Sequence, residues 1–235
     1  LLSTYEDSLT VAANFRTFFE WFREREDIEN EEKNANRDFD YYDLQLQAVR
    51  QALSRFMPEF SNIRIRRSPL RMDVDKRING NKITLSVNQL SDGEKCLMAM
   101  VGDIVRRMTI ANPQLSHPLL GQGIILIDEI DLHLHPLWQR DVVSRLTETF
   151  PNCQFIISTH SPHVITHVQK ESLFSLDITA DGLRSEHPQK SYGMTAERVL
   201  EDLMGLTTTR PVNIKNEIDD IYQRIDRKEY DNAKK

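Results

Sequence analysis

The sequence feature that most constrains the fold is a run of four apolar residues that ends in two carboxylates. Residues 124–127 are all isoleucine or leucine, and Asp128 and Glu129 follow them directly. Such a run, bounded by a glycine and by acids, is typical of a strand buried on both faces inside a parallel sheet. A helix at 137–150 and a second apolar strand at 154–158 complete a strand–helix–strand unit. The sequence therefore predicts an α/β fold with a mainly parallel sheet flanked by helices.

Two predicted helices form the N-terminal segment. Apolar residues recur at steps of three and four between residues 11 and 22, which predicts an amphipathic helix over about 5–25. The acidic stretch at 24–32 is expected to be solvated and partly disordered. A second helix is expected over about 40–57, because Pro58 restricts the residue before it.

A small β-meander follows these helices. Apolar and polar residues alternate at 62–67, 70–76 and 82–87, which predicts three short strands. The meander is locally basic, and its arginines favour either a solvated strand face or a phosphate-binding patch. A helix at 93–109 comes next. The four arginines of the meander are Arg64, Arg66, Arg67 and Arg71.

The C-terminal part is predicted to contain a strand at 173–178 and helices at 195–204 and 212–227. In the last helix four isoleucines repeat with spacings of four, three and four residues and form a narrow seam. This seam can pack on the chain's own core or on a partner, and own-core packing is expected. The seam consists of Ile214, Ile218, Ile221 and Ile225.

Composition narrows the class of protein. A net charge of −6 argues against a uniformly basic protein that coats DNA. No apolar run approaches the roughly 20 residues that cross a bilayer, and the sequence has no signal-peptide pattern. The protein is therefore expected to be cytoplasmic and not associated with a membrane. Cys96 and Cys153 lie far apart in apolar stretches, which predicts two reduced, buried thiols.

The carboxylates at 128 and 129 follow a strand, and open α/β sheets bind ligands at that end of their strands. Mg²⁺ reaches proteins through one or two carboxylates plus substrate phosphates, which suits Asp128. Glu129 would then orient or deprotonate the attacking water, a contribution of roughly 10²- to 10⁴-fold. His160 follows the second apolar strand, so it is expected at the same edge.

A Ser-Asp-Gly turn opens the helix at 93–109. Ser91 or Asp92 can cap this helix, and Gly93 permits a close approach to the backbone. The free N–H groups of such a turn can receive an anion. Taken alone, the turn is only a helix start.

Taken in order, these segments resemble the motifs of ABC-type ATPases. Residues 90–95 resemble the signature motif, and 124–129 resemble the Walker B motif. Asp131 resembles the D-loop residue, and residues 159–160 resemble the segment with the switch histidine. The resemblance implies an ABC-ATPase, or P-loop NTPase, fold with a helical N-terminal segment and the small β-meander.

The resemblance also implies ATP and Mg²⁺ as cofactors and assigns a role to each matching residue. Asp128 would coordinate Mg²⁺, Glu129 would be the catalytic base, and His160 would contact the γ-phosphate. The signature residues would contact ATP held by the opposite subunit, so the active form would be a homodimer or higher oligomer closed by ATP. The cofactor-binding set implied in this way is Ser91, Asp92, Gly93, Glu94, Lys95 and Asp131, of which the last couples the subunits.

The departures from transporter ATPases indicate a branch of the family. Asp92 stands where a second glycine is common, Glu94 replaces glutamine, and 132–136 differ from the transporter continuation. These features resemble the soluble SMC and RecF branch, and more narrowly the overcoating-related and Septu-type defence ATPases, including the PtuA proteins that accompany some retrons. That resemblance implies control of an HNH-type nuclease and, in a retron, of a reverse transcriptase with its DNA. The alternative is a DNA-repair ATPase acting directly on DNA, supported locally by the arginines of the meander.

A Gly-x-x-x-x-Gly-Lys-Ser/Thr loop, which would hold the β- and γ-phosphates, does not occur in the sequence. In ABC ATPases this loop precedes the signature, and this chain begins at Leu1. It is therefore expected to be the C-terminal portion of a longer ATPase, active only when the upstream segment completes it. The expected division is a helical segment at 1–60, the ATPase half at 61–178, and a helical extension for partner or self-packing at 179–235.

Overall fold

The computed structural model describes residues 15–180 and 182–227. The described residues form two compact units, which divide between His160 and Ser161. The start of the helix expected from residue 5 lies outside the described residues. No helix in the described part of the chain is both long and apolar enough to cross a membrane.

The first helix, α1 (Phe15–Asn36), runs through the acidic stretch, so the expectation of partial disorder is wrong. The acids there are solvated as expected, except at two positions. Glu26 and Glu29 are buried on this helix. Glu26 accepts hydrogen bonds from the Ile65 N–H at 3.2 Å and from Arg67 at 2.7 Å. A buried carboxylate persists when charged donors satisfy it, and these donors are far away in sequence.

The second helix, α2 (Leu44–Phe56), begins four residues later than expected, because Asp43 caps it. The Asp43 carboxylate accepts hydrogen bonds from the N–H groups of Gln45 and Leu46, each at 3.0 Å. The predicted end before Pro58 is confirmed. Glu29 of α1 accepts from the Asp43 N–H at 2.9 Å, so the cap also ties the two helices together.

The predicted meander is confirmed as β1 (Phe60–Arg67), β2 (Leu70–Ile78) and β3 (Asn81–Ser86), antiparallel in the order β1-β2-β3. Asp75 in the middle strand is buried and accepts from Asn62 at 2.8 Å. Its pKa is held well below its usual range, because burial raises it less than hydrogen bonds from Thr84 and neighbouring groups lower it.

The predicted helix after the meander is α3 (Asp92–Ala111), which carries much of the core of this unit. A Cβ at Gly102 would overlap the ring of Phe18, so this glycine lets α1 and α3 approach closely. Cys96 on α3 is exposed and Cys153 is half-buried, so the prediction that both are buried is wrong, although both thiols are free.

The predicted strand–helix–strand unit is confirmed as β4 (Gly123–Ile127), α4 (Pro136–Thr149) and β5 (Cys153–Ile157). The two strands are parallel, as expected. Burial on both faces is not found, because Ile124, Leu126 and Ile156 are 66%, 73% and 54% exposed. Side chains alternate across a strand, and the described residues cover only the opposite face.

The second unit contains α5 (Pro162–Ile165), the hairpin β6 (Ser175–Thr179) and β7 (Gly182–Glu186), and α6 (Ala196–Arg198). A π-helical turn continues α6, and α7 (Val212–Asp226) ends the described part of the unit. No residue of α7 is buried within the part of the chain that the structure describes, so the expected own-core packing of its isoleucine seam is wrong. The short 3₁₀ turns are Val87–Gln89, Pro118–Leu120 and Lys170–Ser172, and the π-helical turn is Val199–Leu203.

Candidate functional site

The candidate site lies where β4 and β5 end side by side. Ile127 is paired with Ile157 at the last register position, so the residues that follow leave the sheet at the same edge. The Ser158 N–H donates to the Ile127 carbonyl at 2.9 Å. The Ile130 N–H donates to the Ser158 carbonyl at 3.1 Å. These two bonds hold the two post-strand segments together beyond the end of the sheet.

The Ser158 side chain connects the two carboxylate residues. Its hydroxyl donates to Asp128 Oδ1 and accepts from the Glu129 N–H at 2.8 Å. Asp128 and Glu129 are both exposed, so their carboxylates are open to a ligand. One hydroxyl therefore fixes the side chain of the first acid and the backbone of the second.

The backbone at Glu129 explains how two consecutive acids can serve one edge. Its φ is 50°, in the left-handed region that a residue with a side chain adopts at a cost of about 1–3 kcal/mol. Along a regular strand, neighbouring side chains would point to opposite faces. Glu129 ends the strand by turning, and the hydrogen bonds of the Glu129 and Ile130 N–H groups to Ser158 hold that turn.

Asp131 organises the segment that follows β5. Its Oδ1 accepts a hydrogen bond from the Thr159 hydroxyl and another from the His160 N–H at 3.3 Å. Gln139 on α4 donates to the Asp131 carbonyl at 3.3 Å and to the Leu134 carbonyl at 3.0 Å. The expected D-loop aspartate is therefore bonded to the expected switch segment within one chain, and the exposed imidazole of His160 lies at the same edge.

The expected signature residues form the start of α3. Ser91 caps this helix, since its hydroxyl accepts the Glu94 N–H at 3.3 Å and Glu94 accepts the Ser91 N–H at 2.8 Å. Glu94 is buried and pairs with Lys76 of β2. Burial by itself raises the pKa of Glu94, but the hydrogen bonds from Lys76 and Ser91 lower it further, below its ordinary value. The Glu94 carboxylate is thus turned into the protein.

The other signature side chains lie at the surface. Asp92 is 85% exposed, and its carboxylate pairs with Lys95 at 2.9 Å. Gly93 lies against the segment that follows Asp131, because a Cβ at Gly93 would be 2.5 Å from the carbonyl oxygen of His133. His133 itself has a φ of 62°. The close approach that this glycine permits in the structure is therefore an approach between two segments of the same unit.

The structure accordingly brings the expected site residues together in two groups. Asp128, Glu129, Asp131 and His160 share the sheet edge, whereas 91–95 join this edge through the contact of Gly93 with the backbone of His133. The side-chain donors at the edge are carboxylate and hydroxyl oxygens, which are the ligands that Mg²⁺ prefers. The residues present therefore fit a magnesium ion that is held through a nucleotide.

A family model described as "AAA domain, putative AbiEii toxin, Type IV TA system" matches residues 3–166, which is more than half of the chain. The chain belongs to this AAA family. The α/β ATPase fold expected from the sequence is thereby confirmed.

The relatives of this AAA chain include proteins named for retrons and for Septu. It is 35% identical to the "Retron Ec83 probable ATPase" of Escherichia coli, over 88% of this chain and 46% of the relative. It is 38% identical to the "Retron Vc95 probable ATPase" of Vibrio cholerae serotype O1 biovar El Tor, over 68% of this chain and 38% of the relative. Septu protein PtuA of Bacillus thuringiensis is 43% identical over 38% of this chain and 24% of the relative. The AAA chain thus spans less than half the length of these relatives.

Solved structures similar to the AAA chain include heads of SMC proteins. One belongs to a study of ATP-driven dimerization and DNA-stimulated activation of SMC ATPases, with a TM-score of 0.48, 16% identity, and coverage of 72% of this chain and 94% of that one. The SMC head domain from Thermotoga maritima has a TM-score of 0.46 and 16% identity, and the match covers 68% of this chain and 52% of that one.

Sequence reasoning about the AAA chain missed Ser158 and Thr159 as members of the site. Both hydroxyls contact acids that lie about thirty residues earlier in the chain, and only the pairing of β4 with β5 brings them there. A signal was present, since two hydroxyl residues follow an apolar strand directly. Residues that follow neighbouring parallel strands meet at one edge, so the acids after β4 and the hydroxyls after β5 form natural pairs.

Proposed function

We propose that the complete protein binds and hydrolyses ATP at an interface between subunits and controls a partner effector nuclease in anti-phage defence. The observation that carries the proposal is the connected edge of β4 and β5, where Ser158 and Asp131 order two acids and a histidine. The family match and the names of the retron and Septu relatives support it. In this proposal the partner is an HNH-type nuclease and, in a retron, also a reverse transcriptase with its DNA.

Each residue at the edge has a proposed task. Asp128 would hold Mg²⁺, which when bound with ATP supplies positive charge to the phosphates. Glu129 would orient the attacking water and receive its proton. His160 would contact the γ-phosphate, and its backbone is held for this task by Asp131. Ser158 would hold the two acids in fixed positions relative to each other, because its hydroxyl contacts both residues.

The signature turn would act across the subunit interface. Asp92 is almost fully exposed and Ser91 is exposed, as a surface that meets a second subunit requires. The N–H groups at the start of α3, a helix of 20 residues, can receive an anion such as the γ-phosphate of ATP held by the other subunit. Gly93 would pass movement of the turn to the D-loop, since it lies against the His133 carbonyl.

A further stretch of protein would complete the active unit. We propose that the phosphate loop lies upstream of this chain, and the shorter length relative to the relatives supports this. The exposed apolar face formed by Ile124, Leu126 and Ile156 offers a surface for that stretch to cover. We retain the division at residues 60 and 178 as part of the proposal, with 179–235 serving partner or self-packing.

Replacement of the proposed catalytic base tests the reaction. Glu129→Gln in the complete protein should reduce ATP hydrolysis by roughly 10²- to 10⁴-fold, because a positioned base contributes that much. Binding of ATP should be retained, since the amide keeps the shape of the side chain. The measurement is steady-state phosphate release together with binding of labelled ATP.

The matched control for this test is Glu148→Gln, which neutralises an exposed glutamate on α4 outside the site. It should hydrolyse ATP at the normal rate. Equal rates for the Glu129 and Glu148 variants would remove the catalytic assignment.

The alternative is a DNA-repair ATPase that binds duplex DNA through the meander. Three of the four arginines that favoured it from the sequence are paired with carboxylates in the structure. Arg64 pairs with Asp75 at 3.2 Å, and Arg71 pairs with Asp73 at 2.8 Å. Arg67 also pairs with two carboxylates of α1. These partners neutralise charge that would otherwise attract phosphates.

Affinity purification of the complete protein separates the two functions. A stoichiometric nuclease supports the defence function. DNA bound alone, with an affinity that falls steeply as salt increases, supports direct action on DNA.

A further inference from the structure

The last helix carries an apolar seam that the described chain leaves open. Ile214, Ile221 and Ile225 are 39%, 42% and 40% exposed, and Ile218 is half-buried. Their spacing of four, three and four residues is the spacing of positions that face a partner helix in a helical pair. Since α7 buries none of its residues in the part of the chain that the structure describes, the seam is available to such a partner.

The residues that flank the seam differ between its two edges. Glu217 and Arg224 are seven residues apart and therefore lie along one edge. Lys215 and Tyr222, also seven residues apart, lie along the other edge. One edge thus carries an acid towards the start of the helix and a base towards its end.

This distribution of charge suits a second copy of the same helix in antiparallel orientation. In that arrangement Ile218 of each copy lies beside Ile221 of the other. Like edges then face each other, so Glu217 of each copy meets Arg224 of the other. Two-fold symmetry makes each contact occur twice.

Within the residues of α7 that the structure describes, a parallel arrangement lacks this complementarity. There the two different edges face each other, and Glu217 of one copy meets Tyr222 of the other. Among the described residues of α7, this arrangement forms no ion pair between the copies.

We propose that α7 pairs with α7 of a second copy of this chain as an antiparallel two-helix contact. The self-complementary edge favours a second copy over an unrelated helix, because an unrelated partner would need no such symmetry. The contact does not require ATP, so it stands apart from the proposed ATPase function.

Within one copy, Arg224 already pairs with Asp220 at 2.7 Å. The two side chains are 42% and 54% exposed, and an exposed pair of this kind contributes little to stability. A guanidinium has five N–H donors, so Arg224 can bond Glu217 of the second copy while it keeps its pair with Asp220.

The size of the contact indicates its strength. α7 has 15 residues and is about 22 Å long at 1.5 Å per residue. Two helices of this length bury less than the roughly 800 Å² per partner of a standard stable interface. The contact should therefore be weak by itself, so the dimer that forms without ATP should require a high protein concentration.

Charge exchange in the complete protein without ATP tests the proposal, with sedimentation velocity over a range of concentrations as the measurement. Glu217→Arg alone and Arg224→Glu alone should each raise the dissociation constant of the dimer about tenfold, because two attractive pairs become repulsive. The double exchange, Glu217→Arg with Arg224→Glu, should restore it. An equimolar mixture of the two single variants should form mixed dimers as tight as the normal protein, since both contacts in a mixed dimer join opposite charges.

Two further variants complete the experiment. Asp219→Arg changes the charge by the same amount on the far side of α7, where it is exposed, and should leave the dimer unchanged. Ile218→Ser with Ile221→Ser should abolish the ATP-independent dimer. Because α7 packs on no core of the described chain, the circular dichroism of this variant should show a folded protein.

The following results would overturn the proposal. The normal protein could be monomeric without ATP at every concentration, or its dimer could survive the double serine substitution. The mixture of single variants could fail to form mixed dimers. Finally, the serine substitutions could release a bound nuclease while leaving self-association intact, which would assign the seam to that partner.

Discussion

Ser158→Ala removes the hydroxyl that contacts both acidic residues at the edge of the sheet. The change deletes a hydrogen bond to the Asp128 carboxylate and one from the Glu129 N–H. Buried hydrogen bonds to charged groups contribute about 1.5–3 kcal/mol, and neutral ones about 0.5–1.5 kcal/mol. Because these residues are exposed and water can replace the hydroxyl, we expect a total loss of only about 1 kcal/mol in the free energy of unfolding.

The effect of Ser158→Ala on turnover should be larger than its effect on stability. Glu129 adopts a left-handed backbone, and its N–H would lose the partner that helps to hold it there. Misplacement of a reacting group by about 1 Å costs roughly 10²-fold in rate. The complete protein should therefore show a kcat lowered about 10- to 100-fold with a KM for ATP that changes little.

Steady-state ATP hydrolysis and thermal unfolding of the same samples measure both effects. Ser158→Thr keeps the hydroxyl and should retain most of the activity. Ser144→Ala removes an exposed hydroxyl that donates to its own helix, and it should change neither quantity. If Ser158→Ala hydrolysed ATP at the normal rate, the role of this hydroxyl in ordering the acids would be refuted.

Two further predictions concern the start of α3, where the signature turn is expected. Gly93→Ala places a Cβ 2.5 Å from the His133 carbonyl oxygen and should lower the free energy of unfolding by about 1–3 kcal/mol in a denaturant titration. The control Gly123→Ala, whose nearest neighbour is the Met108 sulfur at 3.4 Å, should lower it less. Equal decreases in the two variants would contradict the contact. The lowered pKa of Glu94 means that its contribution to the free energy of unfolding is present above its ordinary pKa of 4.5 and is lost as the pH falls below that value. Lys76→Met should flatten this part of the pH profile, and an unchanged profile would show that the ion pair does not cause it.

Local patterns in the sequence were sufficient for most of the elements. The period of two in the meander, the apolar runs of β4 and β5, and the periodicity of α3 each arise within a few residues, so neighbouring positions alone predict them. The place of Asp128 and His160 at one sheet edge also followed from the sequence, because parallel strands joined by a helix end on the same side. The AAA family match agrees with this part of the prediction.

The features that the sequence did not reveal involve partners that are distant in sequence. Glu26 was expected in a solvated segment, but its donors are about forty residues away on β1. Glu94 was expected to contact nucleotide, and that role stays a prediction, although its carboxylate pairs with Lys76, eighteen residues earlier. No local pattern reveals such pairs, because they depend on how the meander packs against the helices.

The run of apolar residues that ends in two acids predicted a strand and the edge where the chemistry is expected, and the helix and second apolar run that follow predicted its parallel partner. Tertiary structure alone decided that Ser158 joins the two acids, that Gly93 meets the His133 carbonyl, and that one face of β4 and the seam of α7 stay exposed. The physical reason is that the periodicity of apolar residues along a helix or strand predicts which side of that element is apolar. What covers that side, or bonds across it, depends on residues that only folding brings near.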